Sequence, residues 1–477
     1  MPDTSSLRFG TSGLRGSAVA LEGQAARAYV AAFLRHGEVL GQLGGGRVFV
    51  GRDFRESSPG ILRDCVAAVE AAGLAAVDCG ALPTPALALH AMAAGCAAVM
   101  VTGSHIPEDR NGLKFYLPTG EISKADEAGI VAALRDAVIG DALGPVVDER
   151  HAAMERYFSR YSGLLADGAL VGLRVGVFEH SSVARDVLVR VLECFGATVM
   201  RLGRAERFVA VDTEAVGDAV FLPVPAWVAE HGLDALVSAD GDGDRPLLVD
   251  AQGQFVRGDV LGLLTAWYLG ARTVVTPVTS SSGIEKAGAF EVVRTRVGSP
   301  YVIAAMEAAA GPVVGFEANG GTFVGEGIVA HGRPLAALAT RDAVLPILSV
   351  LGMAAERKIG VAQLVAELAL PWALADRLQH VSAERSARFL ERLVANGDYA
   401  RASFGAYGIG RISTVDGVQI FTAAGDVVHF RASGNAPELR CYVEGRTPEI
   451  AAELLAFGLR VAASETAQEK GPPFGDP

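Results

Sequence analysis

The chain has 477 residues, half of them apolar and a fifth charged, which provides for a large buried core and excludes an intrinsically disordered protein; a chain of that length accommodates roughly 3–4 domains. Its 57 glycines and 21 prolines follow no G-X-Y period, so a collagen-like fibre is excluded. A formal net charge of −12 argues against a broad nucleic-acid or acidic-membrane surface and leaves room only for a local basic pocket.

In chain order, the first block alternates in the βαβ manner. The apolar run 47–51 (RVFVG) reads as a buried strand, 59–73 as a helix with Pro at its start and Gly at its end, 75–79 as a strand, 87–94 as a helix and 97–101 (AAVMV) as a strand. That last strand breaks into a loop running from Thr102-Gly103-Ser104-His105-Ile106-Pro107 to Lys114. A second block repeats the rhythm with strand 174–178, helix 183–195, strand 198–202, a helix near Trp227 and strand 235–238, which runs into Asp240-Gly241-Asp242-Gly243-Asp244-Arg245. A third block reads as strand 273–277, helix 283–289, strand 291–296, helix 300–310 and strand 313–316, which ends in Glu317-Ala318-Asn319-Gly320-Gly321. The last block differs. A helix at 383–395 precedes strands near Ile412, 418–421, 427–430 and 440–443, then a helix near 449–462, as expected of a small α+β domain. The polar, Pro- and Gly-bearing end from 469 to 477 is expected to fray.

The five cysteines at 65, 79, 96, 194 and 441 are widely spaced, with no CxxC, and read as reduced thiols rather than disulfides or a zinc site. The N-terminus has no signal-peptide pattern, and the apolar run 86–101 falls short of a membrane span. The expectation is a soluble cytoplasmic protein.

Three blocks thus end a core strand in a polar, glycine-bearing loop, and parallel sheets place ligands at the carboxyl ends of their strands. The acidic loop is the sharpest signal. Three carboxylates alternate with glycine, and such hard oxygen donors suit Mg²⁺. An EF-hand is excluded, because Arg245 follows the third Asp and Ala251 stands at the twelfth position. Ser104 has His105 beside it and Lys114 downstream, and a serine hydroxyl becomes a useful phosphoryl carrier when a base or cation assists it. In the last block, Arg431, Ser433, Gly434 and Asn435 offer a fork-shaped cation and backbone donors on a tight turn, a cradle suited to phosphate. His331, His380 and His429 lie apart from these segments and read as ordinary; Gly44-Gly45-Gly46 lacks the Lys-Ser/Thr of a P-loop.

Together these segments resemble the α-D-phosphohexomutase family. Phe9-Gly10-Thr11-Ser12-Gly13-Leu14-Arg15-Gly16 looks like its opening motif, 102–107 its phosphoserine loop, 240–245 its metal loop, 317–321 its sugar-binding loop and 431–437 its phosphate loop, in the family's order over about residues 7–460. The resemblance implies three similar α/β domains with mixed sheets (1–147, 148–250 and 251–371) plus a smaller C-terminal α+β domain (372–477), arranged around a central cleft. It implies a reversible phosphoryl shift between O1 and O6 of a hexose phosphate, with a hexose 1,6-bisphosphate intermediate that also serves as activator. Ser104 would be the phosphoserine. Asp240, Asp242 and Asp244 would hold Mg²⁺ together with an oxygen on Ser104. Arg15 and Lys114 would assist proton transfer and phosphate charge, with His105 and Arg245 beside them. Glu317, Asn319 and Gly320 would meet the sugar, and Arg431, Ser433, Gly434, Asn435 and Arg440 the non-reacting phosphate. Partners would be small hexose phosphates, with no nucleic acid or membrane, and the enzyme a monomer or homodimer.

The charges balance on this reading. A phosphoserine of about −2 and three carboxylates give about −5; Mg²⁺ removes two units, and Arg15, Lys114 and Arg245 supply +3. Lys114 and Arg245 are therefore expected to be needed for turnover. The chain departs from the usual family text at Ile106 (commonly Asn), Asn319 (Ser), Gly321 (His) and Asn435-Ala436 (Thr-Glu), changes that bear on sugar choice more than on reaction class. Within the resemblance, the overall look of the serine loop and of the region from Gly332-Arg333-Pro334 to Thr340-Arg341-Asp342 points to mannose phosphate. Phosphoglucomutase or phosphoglucosamine mutase activity is the alternative within the family; a sugar-phosphate hydrolase using the same phosphoserine, or a non-catalytic sugar-phosphate binder, are alternatives of other classes.

Overall fold

The computed structural model describes residues 7–466 apart from Thr11, 137–139, 141–143, 145, 289, 396 and 434–436. The expected Gly434 and Asn435 of the phosphate loop, Thr11 of the opening motif, and the chain end from 469 lie outside the described residues. Contacts group the chain into two units, the first comprising Met1–Pro277, Gly288–Val293 and Gly298–Leu368 and the second Val278–Ala287, Arg294–Val297 and Ala369–Pro477.

The first sheet is mixed. Ala75–Ala81, Arg47–Arg52 and Ala97–Val101 run parallel, then Arg110–Leu117 and Leu14–Ser17 continue it antiparallel. The strand Ala97–Val101 is buried at every position, as its unbroken apolar run requires when neighbours flank both edges. Ser58–Ala71 forms the expected helix, with Pro at its first turn. The second sheet orders Thr198–Arg204, Arg174–His180 and Ala235–Ala239 in parallel, with Pro246–Asp250 antiparallel at the edge. The third orders Glu291–Thr295, Thr273–Pro277, Val313–Phe316, Thr322–Val324 and Leu338–Asp342, parallel at 273/313 and antiparallel beyond.

One device recurs in all three sheets. A buried parallel strand (Ala97–Val101, Ala235–Ala239, Val313–Phe316) turns back into an antiparallel partner, and each of the three polar loops is that turn. Lys114 accordingly sits not in a loop, as read from the sequence, but inside the strand Arg110–Leu117. Its charge and that of Arg110 interrupt the apolar run that marks a buried strand, which is why the strand was illegible.

Asp342 closes the third sheet and anchors it. Its carboxylate accepts hydrogen bonds from Tyr157 Oη (2.9 Å) and Tyr161 Oη (2.5 Å) on the helix Arg150–Tyr161 and from the backbone N–H of Val344 (3.0 Å), at the start of the helix Val344–Arg357.

The second unit is an antiparallel five-stranded sheet ordered Trp372–Gln379, Glu438–Gly445, Val427–Ala432, Val418–Thr422, Ile409–Ser413, with helices Ala383–Ala395, Gly397–Phe404 and Pro448–Thr466. Phe389, Leu393, Phe404, Phe430 and Leu454 form its core. The edge strand Trp372–Gln379 escaped the sequence reading because it is mostly exposed and Asp376-Arg377 interrupt its apolar residues. Among the described residues no helix is long and apolar enough to cross a membrane, and all five cysteines are free.

Candidate active site

The serine loop leaves the strand Ala97–Val101 at Thr102. Ser104 is buried and takes a left-handed backbone, φ 54°, which a non-glycine residue adopts only when its surroundings hold it. Those surroundings are explicit. Ser104 N–H donates to Thr102 Oγ1 (2.8 Å), and Thr102 Oγ1 donates to Asp53 (2.8 Å). The fully buried Arg55 donates one terminal nitrogen to the carbonyls of Ser104 (3.0 Å) and Ile106 (2.7 Å) and the other to those of Pro107 (2.7 Å) and Arg110 (3.2 Å). Its Nε pairs with Asp53 at 3.1 Å, and the Phe208 ring lies 3.9 Å from its guanidinium carbon.

The loop after Ala235–Ala239 brings its three carboxylates to the serine. Ser104 Oγ donates to Asp240 Oδ2 at 2.6 Å, while Asp240 Oδ1 accepts from the N–H groups of Asp244 (3.1 Å) and Arg245 (3.2 Å). Glycine is required between the acids, since a Cβ at Gly241 would lie 2.8 Å from the Ser104 carbonyl oxygen. Asp242 Oδ2 accepts from Thr84 Oγ1 (2.6 Å) and Lys114 Nζ (2.6 Å). Asp244 Oδ2 accepts from Lys114 Nζ (2.5 Å) and from Arg341 Nε (3.0 Å) and Nη2 (2.9 Å). All three acids are fully buried, and one carboxylate oxygen from each lies within 4.8 Å of the others. Asp242 Oδ1 and Asp244 Oδ1 are buried with no hydrogen-bond partner, a costly state for a carboxylate oxygen unless a ligand takes it. Three hard donors with two orphaned oxygens fit a divalent cation such as Mg²⁺; the triad can hold a metal.

The charges around it set protonation. Burial alone would lower Lys114, but Asp242 and Asp244 outweigh it and raise the group, so it stays an ammonium. Burial opposes ionisation of Asp244, yet Arg341, Lys114 and Arg245 together hold it below the usual carboxylate range. His105, whose Nδ1 is 3.3 Å from Ser104 Oγ, is pushed down by burial, then by Arg245 and Arg15, so its imidazole is neutral near pH 7. A neutral imidazole beside the serine can accept a hydrogen bond at its free ring nitrogen, and the burial and cations that keep it neutral make it a weak base. Arg15 is lowered to about 10 by burial and by its neighbours Arg245 and Arg341, and remains cationic. Arg245 faces outward acids as well: Nη1 is 3.6 Å from Glu214 and 3.8 Å from Asp212, and Nε is 3.9 Å from Asp244.

In the third loop Glu317 and Asn319 are buried. The Gly321 N–H donates to Asn319 Oδ1 (2.9 Å) and the Gly320 N–H to the Glu317 carbonyl (2.9 Å), so Asn319 spends its oxygen within the loop. Glu317 Oε2 accepts from Arg341 Nη1 at 2.7 Å. Arg341 is thus a fourth cation in the cluster, absent from the three-cation balance drawn from the sequence. There it stood only as part of Thr340-Arg341-Asp342; the available signal was an Arg-Asp pair between a strand and a helix. Arg55, Asp53 and Thr84 were likewise not singled out.

In the second unit, Arg431 Nε donates to Asp416 Oδ2 (2.8 Å), and Ser433 N–H donates to the Glu438 carbonyl (2.9 Å). Arg431 pairs across the sheet with Arg440, which pairs in turn with Arg377. Acidic side chains lie beside all three: Asp416 pairs with Arg431, and Glu438 is 3.4 Å from Arg377 and 3.9 Å from Arg440.

Comparison with known proteins agrees with this arrangement. The family models "Phosphoglucomutase/phosphomannomutase, alpha/beta/alpha domain I", "alpha/beta/alpha domain III" and "C-terminal domain" match residues 6–137, 257–370 and 364–458. A phosphomannomutase of Sinorhizobium fredii is 48% identical over 471 residues, 96% of this chain and 99% of that one. A phosphomannomutase of Salmonella muenchen is 38% identical over 461 residues, 94% of each chain. The crystal structure of a phosphoglucomutase/phosphomannomutase family protein from Burkholderia thailandensis shares the fold, with a TM-score of 0.79 at 21% identity over 98% of this chain and 99% of that one. The chain belongs to the phosphoglucomutase/phosphomannomutase family, the phosphohexomutases, and is an isomerase.

Proposed function

We propose that this isomerase is a phosphomannomutase, converting mannose 6-phosphate and mannose 1-phosphate into each other through a phosphoserine at Ser104 and a hexose 1,6-bisphosphate, which also primes the serine. The observation that carries the mechanism is Ser104 Oγ at 2.6 Å from Asp240, beside Asp242 and Asp244, each with one buried carboxylate oxygen that has no hydrogen-bond partner. The choice of mannose leans on the relative that is 48% identical over nearly the whole chain.

In the forward step the bond between phosphorus and Ser104 Oγ breaks as phosphorus bonds to a sugar hydroxyl, and the hydroxyl proton is lost. That proton ends on the departing Ser104 Oγ, which becomes a hydroxyl again; His105, with Nδ1 3.3 Å from Ser104 Oγ, is the hydrogen-bond partner at that oxygen, and the burial and cations that keep it neutral make it a weak base. Lys114, held as an ammonium, and Arg15 meet the charge on the departing serine oxygen and the phosphoryl group. Mg²⁺ held by Asp240, Asp242, Asp244 and an oxygen on Ser104 would neutralise charge on the transferring group. Glu317 and Asn319 read sugar hydroxyls. Arg431, Ser433, Gly434, Asn435 and Arg440 hold the phosphate that does not react, so the bisphosphate can turn round and return the other phosphoryl group to Ser104. The domains serving these roles are 1–147, 148–250, 251–371 and 372–477.

A coupled assay with mannose 1-phosphate, glucose 1-phosphate and glucosamine 1-phosphate, each with its bisphosphate, tests the reading. The highest kcat/KM is expected on mannose 1-phosphate. A higher value on glucosamine 1-phosphate overturns the sugar assignment, and release of inorganic phosphate faster than isomerisation makes the protein a hydrolase. In the metal site, Asp240→Ala is expected to weaken Mn²⁺ binding by roughly 100-fold or more, since loss of an outer partner alone costs about 10–100-fold. Titration calorimetry of the purified protein reads this without turnover, and unchanged affinity refutes the triad as the metal site.

A further inference from the structure

Arg341 touches two of the three loops. Its side chain is 2% exposed. Nε and Nη2 both donate to Asp244 Oδ2, and Nη1 donates to Glu317 Oε2. With Lys114 Nζ also on Asp244 Oδ2, that oxygen accepts three hydrogen bonds, and Oδ1 is left buried without a hydrogen-bond partner and free to take a cation. The fork therefore fixes which oxygen of Asp244 is occupied and which is left free and, with its remaining nitrogen, fixes the carboxylate of the sugar loop.

The surroundings are built for this contact. A Cβ at Gly321 would lie 2.6 Å from Arg341 Cδ, 2.8 Å from Cγ and 2.9 Å from the Asp244 carbonyl oxygen, so only glycine lets the arginine stem cross the sugar loop on its way to the metal loop. Behind it, Asp342 is pinned by Tyr157 and Tyr161 and by the first turn of the helix Val344–Arg357, which sets the strand end that presents Arg341. Thr340 is held in the same way, donating to Glu121 Oε1 at 2.7 Å.

We infer that Arg341 is a positioning residue that couples the metal site to the sugar-binding carboxylate, so that a divalent cation on the triad and a hexose phosphate bind with mutual advantage. This rests on the phosphoserine-and-metal reading of the site. The coupling depends on the fork and not on charge alone. A lysine at 341 keeps the positive charge but has a single nitrogen, which cannot hold Asp244 and Glu317 in the same planar register.

The test uses the full-length Ser104→Ala protein, which cannot turn over, with Mn²⁺ and mannose 1-phosphate as probes. Calorimetry measures the affinity for each with and without the other; by linkage the two ratios must agree. In this parent Mn²⁺ is expected to tighten mannose 1-phosphate binding by about 5-fold or more. Arg341→Lys in the same background is expected to bring that factor close to one and to weaken Mn²⁺ itself by about 10-fold or more. Gly321→Ala, which keeps the arginine but displaces it, is expected to do the same, and decides the matter should Arg341→Lys fail to fold. A parent with no coupling, or variants that retain it, overturns the role of Arg341. The underlying reading fails separately: it falls if Asp240→Ala binds Mn²⁺ as tightly as the parent.

Discussion

Ser104→Ala is expected to remove mutase turnover, lowering kcat/KM by about 10⁵–10⁶-fold, the scale on which loss of a nucleophile costs an enzyme that depends on it. The same variant is expected to carry no covalent phosphate by intact mass after incubation with hexose bisphosphate, where the parent carries one. The fold should survive the change. The partners that hold residue 104 in its left-handed conformation are the Thr102 hydroxyl on its N–H and Arg55 on its carbonyl, both main-chain contacts that alanine keeps. What disappears is the hydroxyl and its 2.6 Å bond to Asp240. Loss of chemistry with retained folding is thus separable from collapse, and thermal melting of the two proteins side by side checks it. A variant that keeps its phosphate, or more than a small fraction of its rate, places the phosphoryl carrier on another side chain.

The sequence carried the strands that end in chemistry, because a buried parallel strand is an uninterrupted apolar run and the polar loop after it is a sharp contrast. Ala97–Val101, Ala235–Ala239 and Val313–Phe316 all stand where those runs stand. It carried far less of what returns from each loop. Arg110–Leu117 holds Asn111 and Lys114 inside a buried strand, and such a strand looks like loop until its neighbours Ala97–Val101 and Leu14–Ser17 are seen to cover both edges. The same limit applies to the site. Asp240, Asp242 and Asp244 are legible because alternation with glycine has almost no other purpose. Arg341 and Arg55 are not, because each is one arginine among many until the fold carries it 97 residues back to Asp244 or 49 residues on to Ser104. Lone cations matter here through distant partners, and local pattern has no term for that.

Arg55 is where the second large effect is expected. Arg55→Met should destabilise the first unit by about 3–5 kcal/mol, the cost of breaking a buried ion pair and leaving the other charge without its partner. Asp53 and Arg55 are both wholly buried, 3.1 Å apart, and the guanidinium also donates to four carbonyls of residues 104–110, of which that of Ser104 is buried. Arg55→Lys separates stability from positioning. A lysine restores a charge for Asp53, so much of the lost stability should return, but three donors on one nitrogen cannot span carbonyls on Ser104, Ile106, Pro107 and Arg110 at once. The loop then loses the clamp that holds Ser104 at φ 54°, and a nucleophile displaced by even 1 Å costs about 100-fold in rate. The expected signature is a denaturation midpoint near that of the parent, a KM for hexose phosphate little changed, and a single-turnover rate of phosphoryl transfer from Ser104 lower by roughly 10–100-fold. Equal loss of KM and rate in Arg55→Lys would mean that the arginine serves substrate binding; full retention of rate would mean that Thr102 and Asp53 hold the serine loop without it.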